Sequence, residues 1–226
     1  MWLNKRKINR QRRQYQQQAA LEEERKRITG DLHDDVGSSL SSLMLKTVVA
    51  GKLIDTDTEK AKQFLDNIAK ESADISSNIS DIIWSMKPEK DRLLDMDTRI
   101  RNTISNLMDT SSIHYTIDIK QPLDKLVTNI TARKNILLII KEATNNVIKH
   151  SHAGEYILTT EVNNRLLLIT ISDNGCGIDT EKQNKGNGLQ NLRKRCEELS
   201  GLMHIKSEKD KGATLCFSFH LTDISG

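Results

Sequence analysis

His33 and Asp34 stand side by side in a stretch that reads as uninterrupted helix, with Gly30 about a turn before the histidine and Gly37 a turn after it. On a helical wheel with Leu32 at zero, Val36 falls near about 40°, and His33, Gly37 and Gly30 fall near about 100°, 140° and 160°. The imidazole is therefore flanked by residues without side chains. Each glycine inside a helix costs about 1 kcal/mol relative to alanine, which makes sense where large partners must approach the ring. The neighbouring carboxylate can accept a hydrogen bond from the imidazole, fix its tautomer and make the other nitrogen a better nucleophile. Taken by itself, the pattern fits a solvated His-Asp pair equally well.

A second set of chemical groups lies on a later helix. Glu142, Asn146 and Lys149 are spaced i, i+4, i+7 and share one stripe, with Leu137, Ile140, Val147 and Ile148 mostly on the other side. A carboxylate, a carboxamide and an ammonium on one face suit magnesium and phosphate, although an ordinary surface stripe has the same spacing. Beyond it, a strand ending at Ser172 runs into Asp173-Asn174-Gly175-Cys176-Gly177-Ile178, and Gly186-Asn187-Gly188-Leu189 opens another helix. Glycines at a helix start let backbone amides approach an anion. The polar segment 179–185 between them can fold over a nucleotide. Either glycine patch alone could be a plain turn, and the spacing is neither a P-loop nor a dinucleotide fingerprint.

The elements that must position these groups fall into two sets. Residues 5–50 form one long helix with Ile28, Leu32, Val36, Leu40 and Leu43 on one face; a break follows over Gly51–Thr58. A second helix runs over 59–86 with Phe64, Leu65, Ile68, Ile75, Ile79, Ile82 and Ile83 inside, and Lys87-Pro88 ends it. Two such helices cannot bury both stripes as a lone hairpin. Pairing with a second copy in a four-helix bundle does so, hence a homodimer is expected. After Pro88 come helices over 93–108, 129–149 and 189–199. Strands fall over 113–119, 156–162, 166–172, 203–207 and 214–221, with an Asn163-Asn164 turn between the second and third. Helices mixed with antiparallel strands indicate an α+β sandwich. The fold class expected is thus an antiparallel two-helix hairpin forming a dimeric four-helix bundle, followed by an α+β sandwich.

Composition agrees with this and excludes much else. The 226 residues suit two modest domains, and a hydrophobic share of 36% with 4% aromatics suits helix pairs and a thin sandwich. Cys176, Cys196 and Cys216 are far apart, which argues for reduced thiols rather than a disulfide framework or zinc site. No apolar run is long enough to span a bilayer. Trp2 and Leu3 precede Lys5, Arg6, Lys7, Arg10, Arg12 and Arg13, as at the cytoplasmic end of a membrane helix. No base-reading motif accompanies these charges, so direct nucleic-acid binding is not expected.

Taken in order, these motifs resemble those of two-component sensor histidine kinases. Glu24-Arg25-Lys26-Arg27-Ile28 through Leu32-His33-Asp34-Asp35 is similar to the phosphoacceptor box of the His-Asp subgroup. Glu142-Ala143-Thr144-Asn145-Asn146-Val147-Ile148-Lys149-His150 resembles the N box of the GHKL (Bergerat) ATPase class. Asp173–Gly177 and Gly186–Leu189 resemble its two glycine boxes, and Gly212-Ala213-Thr214 its closing glycine-threonine element. The resemblance implies ATP and Mg2+ as cofactors, His33 as phosphoacceptor and Asp34 as its base. It implies Asn146 as magnesium ligand, with Glu142 acting on the ion or its waters, and Asp173 with Thr214 on the adenine. Gly175, Gly177, Gly186, Gly188 and Leu189 would shape the lid and phosphate cradle, and Lys149 and His150 would lie near the phosphates. Residues 1–23 would be a helical linker from an upstream sensor or membrane segment. Residues 24–88 would be the dimerisation and phosphotransfer domain, and 89–226 the catalytic ATP-binding domain. The partners implied are a second copy, the receiver domain of a separate response regulator and an upstream sensor domain. The setting implied is the cytoplasmic side of an inner-membrane-anchored bacterial protein. Where this subgroup often has glutamine five residues after the histidine, to position water for phosphatase activity, this chain has Ser38. A GHKL serine kinase or anti-sigma module, or an ATP-binding dimeric scaffold, is the alternative.

Overall fold

The computed structural model describes residues 2–87, 95–109, 111–178 and 187–225; the side chains of 2–10, 13, 14, 17, 20, 21, 24, 31–35, 38 and 187 lie outside that description. The chain divides into two compact units between Met86 and Lys87.

The first unit is a helical hairpin of α1 (Trp2–Leu53) and α2 (Thr58–Met86). No proline precedes Pro88, so nothing interrupts either backbone ladder. The break is shorter than expected, because Gly51 stays helical and only residues 54–57 turn. The Asp57 amide donates to Leu53 O at 2.8 Å, and Asp57 Oδ1 caps α2 by accepting from the Lys60 amide at 3.1 Å. The Lys60 ammonium, 2.9 Å from the Asp57 carboxylate, holds that carboxyl below its ordinary range. The two helices run antiparallel: Lys46 Nζ meets Glu71 Oε2 at 2.5 Å, and Arg25 Nη2 donates to Met86 O at 3.2 Å. α2 therefore ends beside Arg25, and the earlier residues of α1 run on past it. Ile28, Ala50, Ala61, Ile82 and Trp84 are buried, whereas Leu40, Met44, Leu45, Val48, Leu65 and Ile83 are exposed. Leu40, Leu65 and Ile83, expected on the inner faces, are thus outside. The reason is geometric: one helix pair covers only the strip along its line of contact, narrower than the apolar arc of either helix.

The second unit is a two-layer arrangement of helices on a five-stranded sheet. Its order along the chain is α3 (Met96–Met108), β1 (His114–Ile119), α4 (Leu123–Leu126), α5 (Ile130–Asn146) with a π-helical turn (Val147–Ser151), β2 (Glu155–Asn163) and β3 (Leu166–Asp173). α6 (Asn187–Glu197), β4 (Leu202–Glu208), β5 (Gly212–His220) and the short α7 (Leu221–Ile224) complete it. The strand order is β1-β2-β3-β5-β4. Three pairings are antiparallel, but β1 pairs with β2 in parallel, which corrects the all-antiparallel expectation. The connection from β1 returns through α5 to the starting edge, and a helical crossover of that kind joins parallel strands. The β2–β3 turn sits one residue later than expected. Asn163 pairs with Leu166, leaving Asn164 (φ 49°) and Arg165 (φ 64°) as a two-residue loop with both φ values positive, the twist that matches flanking strands. α3 begins at Met96, capped by Asp95 accepting from the Thr98 amide at 2.7 Å; the expected start at Leu93 lies outside the described residues.

Alternation along the strands defines the core. Tyr156, Leu158, Leu167, Ile169, Ile171, Ala213, Leu215, Phe217 and Phe219 are buried on the helix-covered face, with Ile100 and Ile104 of α3 and Leu192 and Cys196 of α6 above them. α5 occupies the middle of this layer, and Ile136, Leu137, Ile139 and Ile140 are fully buried. Burial pushes the Cys196 thiol up to about 11. Truncating Ile136 to alanine leaves a cavity between α5 and its neighbours. It should lower the unfolding free energy of this unit by about 3 kcal/mol, read from urea denaturation.

Candidate functional site

The groups of interest in the second unit converge where the C-terminal end of α5 meets the ends of β3 and β5 and the start of α6. A cavity of about 450 Å³ opens there, within the range of about 300–1,000 Å³ usual for small-ligand sites. Its lining includes Asn146, His150, Asp173, Gly177, Gly188 and Leu189 from the expected set, together with Ala143, Val147, Ser151, Ile171, Cys176, Ile178, Ala213 and Leu215.

Asp173 closes β3 and is half-buried at the cavity wall. One of its oxygens accepts the Gly175 amide at 2.8 Å, and the Ala213 amide bonds to the carboxylate as well. Desolvation outweighs these bonds, and the carboxyl lies above its ordinary range. A carboxylate placed so is a directional acceptor for an exocyclic amine in an otherwise apolar slot. The loop behind it is tightly held: Asn174 Oδ1 accepts from the Gly154 and Glu155 amides at 2.9 Å each, and the Cys176 amide donates to Ser151 O at 2.7 Å. Gly177 takes φ 79°, a conformation that only glycine adopts freely. Gly175 is buried against the Ser151 backbone.

Glu142 and Asn146 come together from the same face of α5 and meet α6 at Gly188. A Cβ on Gly188 would lie 2.8 Å from Glu142 Oε1 and 3.3 Å from Asn146 Oδ1, so a side chain there would displace the ends of these two side chains. A carboxylate and a carboxamide beside one another on this face supply the hard oxygen donors that a magnesium ion would take. Among the described residues there is no cluster of three or more His, Cys, Asp or Glu that could hold a metal ion.

Three expected residues are placed otherwise or not at all. Lys149 is exposed and does not line the cavity, although the stripe put it beside Asn146. The chain passes into the π-helical turn at Val147, and the wider i→i+5 winding advances less per residue, so Lys149 lags behind the stripe. Thr214 faces the other side of the sheet from Ala213 and Leu215, its neighbours on β5 that do line the cavity; the two-residue period of a strand dictates this. Gly186 lies outside the described residues. Sequence reasoning missed Ala213 and Leu215 as the apolar wall. Their strand parity with the buried Phe217 and Phe219 was the available signal.

In the first unit, the backbone at His33 and Asp34 is helical within α1, and their side chains lie outside the described residues, as does that of Ser38. Gly30 and Gly37 are exposed, with open space where a Cβ would stand, while Ile28 is buried against α2, as the helical wheel requires.

Comparison with known proteins bears on both units. Residues 24–91 match a family model described as histidine kinase, and residues 131–223 match one described as histidine kinase-, DNA gyrase B-, and HSP90-like ATPase. The chain is similar to the sensor histidine kinase DesK of Bacillus subtilis, 32% identical over 198 residues, which are 85% of this chain and 50% of DesK. It is 27% identical over 207 residues to the nitrate/nitrite sensor protein NarQ of Escherichia coli, covering 90% of this chain and 36% of NarQ. The chain thus spans half or less of these relatives. Among solved structures, the blue-light activated histidine kinase of Erythrobacter litoralis EL346 matches with a TM-score of 0.58 at 13% identity, over 84% of this chain and 60% of that one. The histidine kinase AdeS of Acinetobacter baumannii matches with a TM-score of 0.53 at 15% identity, over 84% and 98%. At these identities the structures establish a shared fold.

Because the folded-state carboxyl of Asp173 titrates above its unfolded value, its contribution to stability is present in acid. It is lost as pH rises through the raised value, where the ionised form must stay half-buried. Asp173→Asn should therefore flatten the fall in unfolding stability of the nucleotide-free protein between acid and neutral pH, measured by thermal melts across that range. The same substitution should weaken adenine-nucleotide binding by about 2 kcal/mol, roughly thirtyfold, through loss of a charged acceptor.

Proposed function

We propose that the chain, whose two units match histidine kinase family models, is the phosphoacceptor and catalytic portion of a two-component sensor kinase, which phosphorylates its own His33 from ATP and passes the phosphoryl group to an aspartate of a separate response regulator. The observation that carries this reading is the convergence of Asp173, Asn146 and Gly188 on one cavity, in a chain that also offers His33 between two exposed glycines.

Asp173 would accept the adenine amino group, and Ala143, Ile171, Ala213 and Leu215 would supply apolar contact for the base. Asn146 would hold magnesium and Glu142 would act on the ion or order its water; when bound, the ion neutralises charge developing between the β- and γ-phosphates. His150 lines the cavity and Lys149 does not, so of the two His150 would stand nearer the phosphates. Glycines at 186 and 188 would let the lid and the start of α6 come close to the anion. The reaction forms one bond from an imidazole nitrogen of His33 to the γ-phosphorus and breaks the bond to the departing ADP oxygen. Asp34 would take the other imidazole proton as a hydrogen bond and so keep the attacking nitrogen unprotonated.

The exposed Leu40, Met44, Leu45, Val48 and Leu65 are the apolar surface that a second hairpin would cover, giving a homodimeric four-helix bundle. Once paired, the outer surface around Gly30 and Gly37 would receive first the nucleotide-loaded ATPase unit and then the receiver domain. Ser38, a short hydroxyl in place of glutamine, predicts weak phosphatase activity toward that receiver. The basic stretch from Lys5 to Arg13 fits entry of α1 from an upstream sensor at the cytoplasmic face of a membrane, although no helix among the described residues is long and apolar enough to cross one. A serine-kinase, anti-sigma or scaffold role would leave the phosphoacceptor helix without a task and is not favoured.

Incubation with γ-labelled ATP and magnesium should give the chain an acid-labile, base-stable phosphate. His33→Ala should lose the label entirely while still binding nucleotide. Asn146→Ala should lose both binding of the magnesium nucleotide and the label. Label retained on the His33 variant would overturn the assignment of the acceptor.

A further inference from the structure

Helices α5 and α6 lie antiparallel and touch at two levels. At one level Glu142 and Asn146 meet Gly188. At the other, Asn135 Nδ2 donates to Glu198 Oε2 at 2.9 Å and Asn135 Oδ1 accepts from Arg195 Nη1 at 3.4 Å. Asn135 has no exposed surface, so both halves of its carboxamide are bonded away from water. The two levels are in register: seven residues separate Asn135 from Glu142 (142 − 135) and seven separate Gly188 from Arg195 (195 − 188). Both spans equal about two turns, or about 10.5 Å. Leu192 and Cys196 of α6, and Leu199 just beyond it, are buried as well. Such packing is non-directional and tolerates small sliding of one helix along the other. Directional bonds to a carboxamide that is itself held out of water do not.

We propose that Asn135 is the positioning residue that sets the register of α6 on α5, and through it the affinity of the Glu142–Asn146–Gly188 corner for magnesium nucleotide. It touches neither nucleotide nor ion. It acts by fixing where Gly188 stands relative to the two oxygens. The inference rests on the reading that Glu142 and Asn146 face the ion, and it identifies a determinant of affinity two turns away from them.

The test uses the full chain, a fluorescent ATP analogue, and titrations with magnesium and with EDTA. Asn135→Leu keeps the volume and removes both bonds. It should weaken binding in magnesium about tenfold, change binding in EDTA less than about twofold, and raise KM for magnesium ATP while leaving kcat of autophosphorylation unchanged. Glu198→Ala, at an exposed position, disturbs folding least and should show the same split at about threefold. Asn135→Asp sets a second carboxylate against Glu198 and should behave as Asn135→Leu does. Adding Glu198→Gln to it exchanges donor and acceptor and should restore binding in magnesium to within about twofold. Equal losses with and without magnesium, wild-type affinity in Glu198→Ala, or no rescue in the double variant would each overturn the proposal. Asn146→Ala, run alongside, separates the two levels of inference. If it keeps the magnesium-dependent part of binding, the reading of the ion site fails and this proposal with it. If it loses that part while the Asn135 and Glu198 variants do not, only the role of Asn135 fails.

Discussion

Helix α5 is enclosed by α3, α6 and the sheet over most of its length, and its polar residues must find partners inside the protein. Thr144 shows how: its hydroxyl donates to Ile140 O at 2.8 Å and shares a 2.9 Å hydrogen bond with the Tyr156 hydroxyl, whose own ionisation burial strongly suppresses. A buried polar group left without a partner costs about 1–3 kcal/mol. Each paired group therefore also fixes the neighbour that pairs with it. The sheet is registered on α5 through Tyr156, and α6 through Asn135. The cavity inherits its shape from this enclosure, since only the last turns of α5 escape it, and those turns carry Asn146 and His150.

The same region shows the usual tension between stability and function. An aspartate in a half-apolar wall is held in its charged form at some cost, visible in its raised titration. A glycine at position 188 weakens the first turn of α6 and in return leaves uncrowded two oxygens that a methyl group would press against. The π-helical turn at the end of α5 is another local departure from ideal geometry, of a kind often found at functional sites. These departures cluster around one corner and are absent from the Ile136–Ile140 stretch of α5, where packing alone is served. That segregation is itself a functional signal. The hairpin of α1 and α2 is the opposite case, a regular element with little that is strained. Its incompleteness is of another kind, because the apolar arc of each helix is wider than a single partner can cover.

Much of this was legible in the chain itself. Helix spans followed from the 3.6-residue period and the lack of proline before Pro88, and strand spans from β-branched alternation, so the long helices and all five strands were foreseen, but α4, α7 and the π-helical turn were not. The glycine boxes and the Glu142–Asn146 spacing pointed to the corner that the fold assembles. What local pattern could not supply was the direction of β1, the exposure of Leu40 and Leu65 and the lag of Lys149. The direction of β1 and the two exposures depend on a partner distant in sequence, while Lys149 lags because the π-helical turn winds differently. β1 is parallel because of what lies across the sheet. Leu40 is outside because α2 covers another strip.

Sequence by itself determined which residues are helical, which are extended and which types of atom could do chemistry, because those depend on backbone preference and on side-chain composition within a few residues. Only the tertiary structure decided which of those atoms meet. Asp173, Asn146 and Gly188 share a cavity, and Asn135 reaches across to Arg195 and Glu198, because antiparallel helices and paired strands bring together positions that no local period relates.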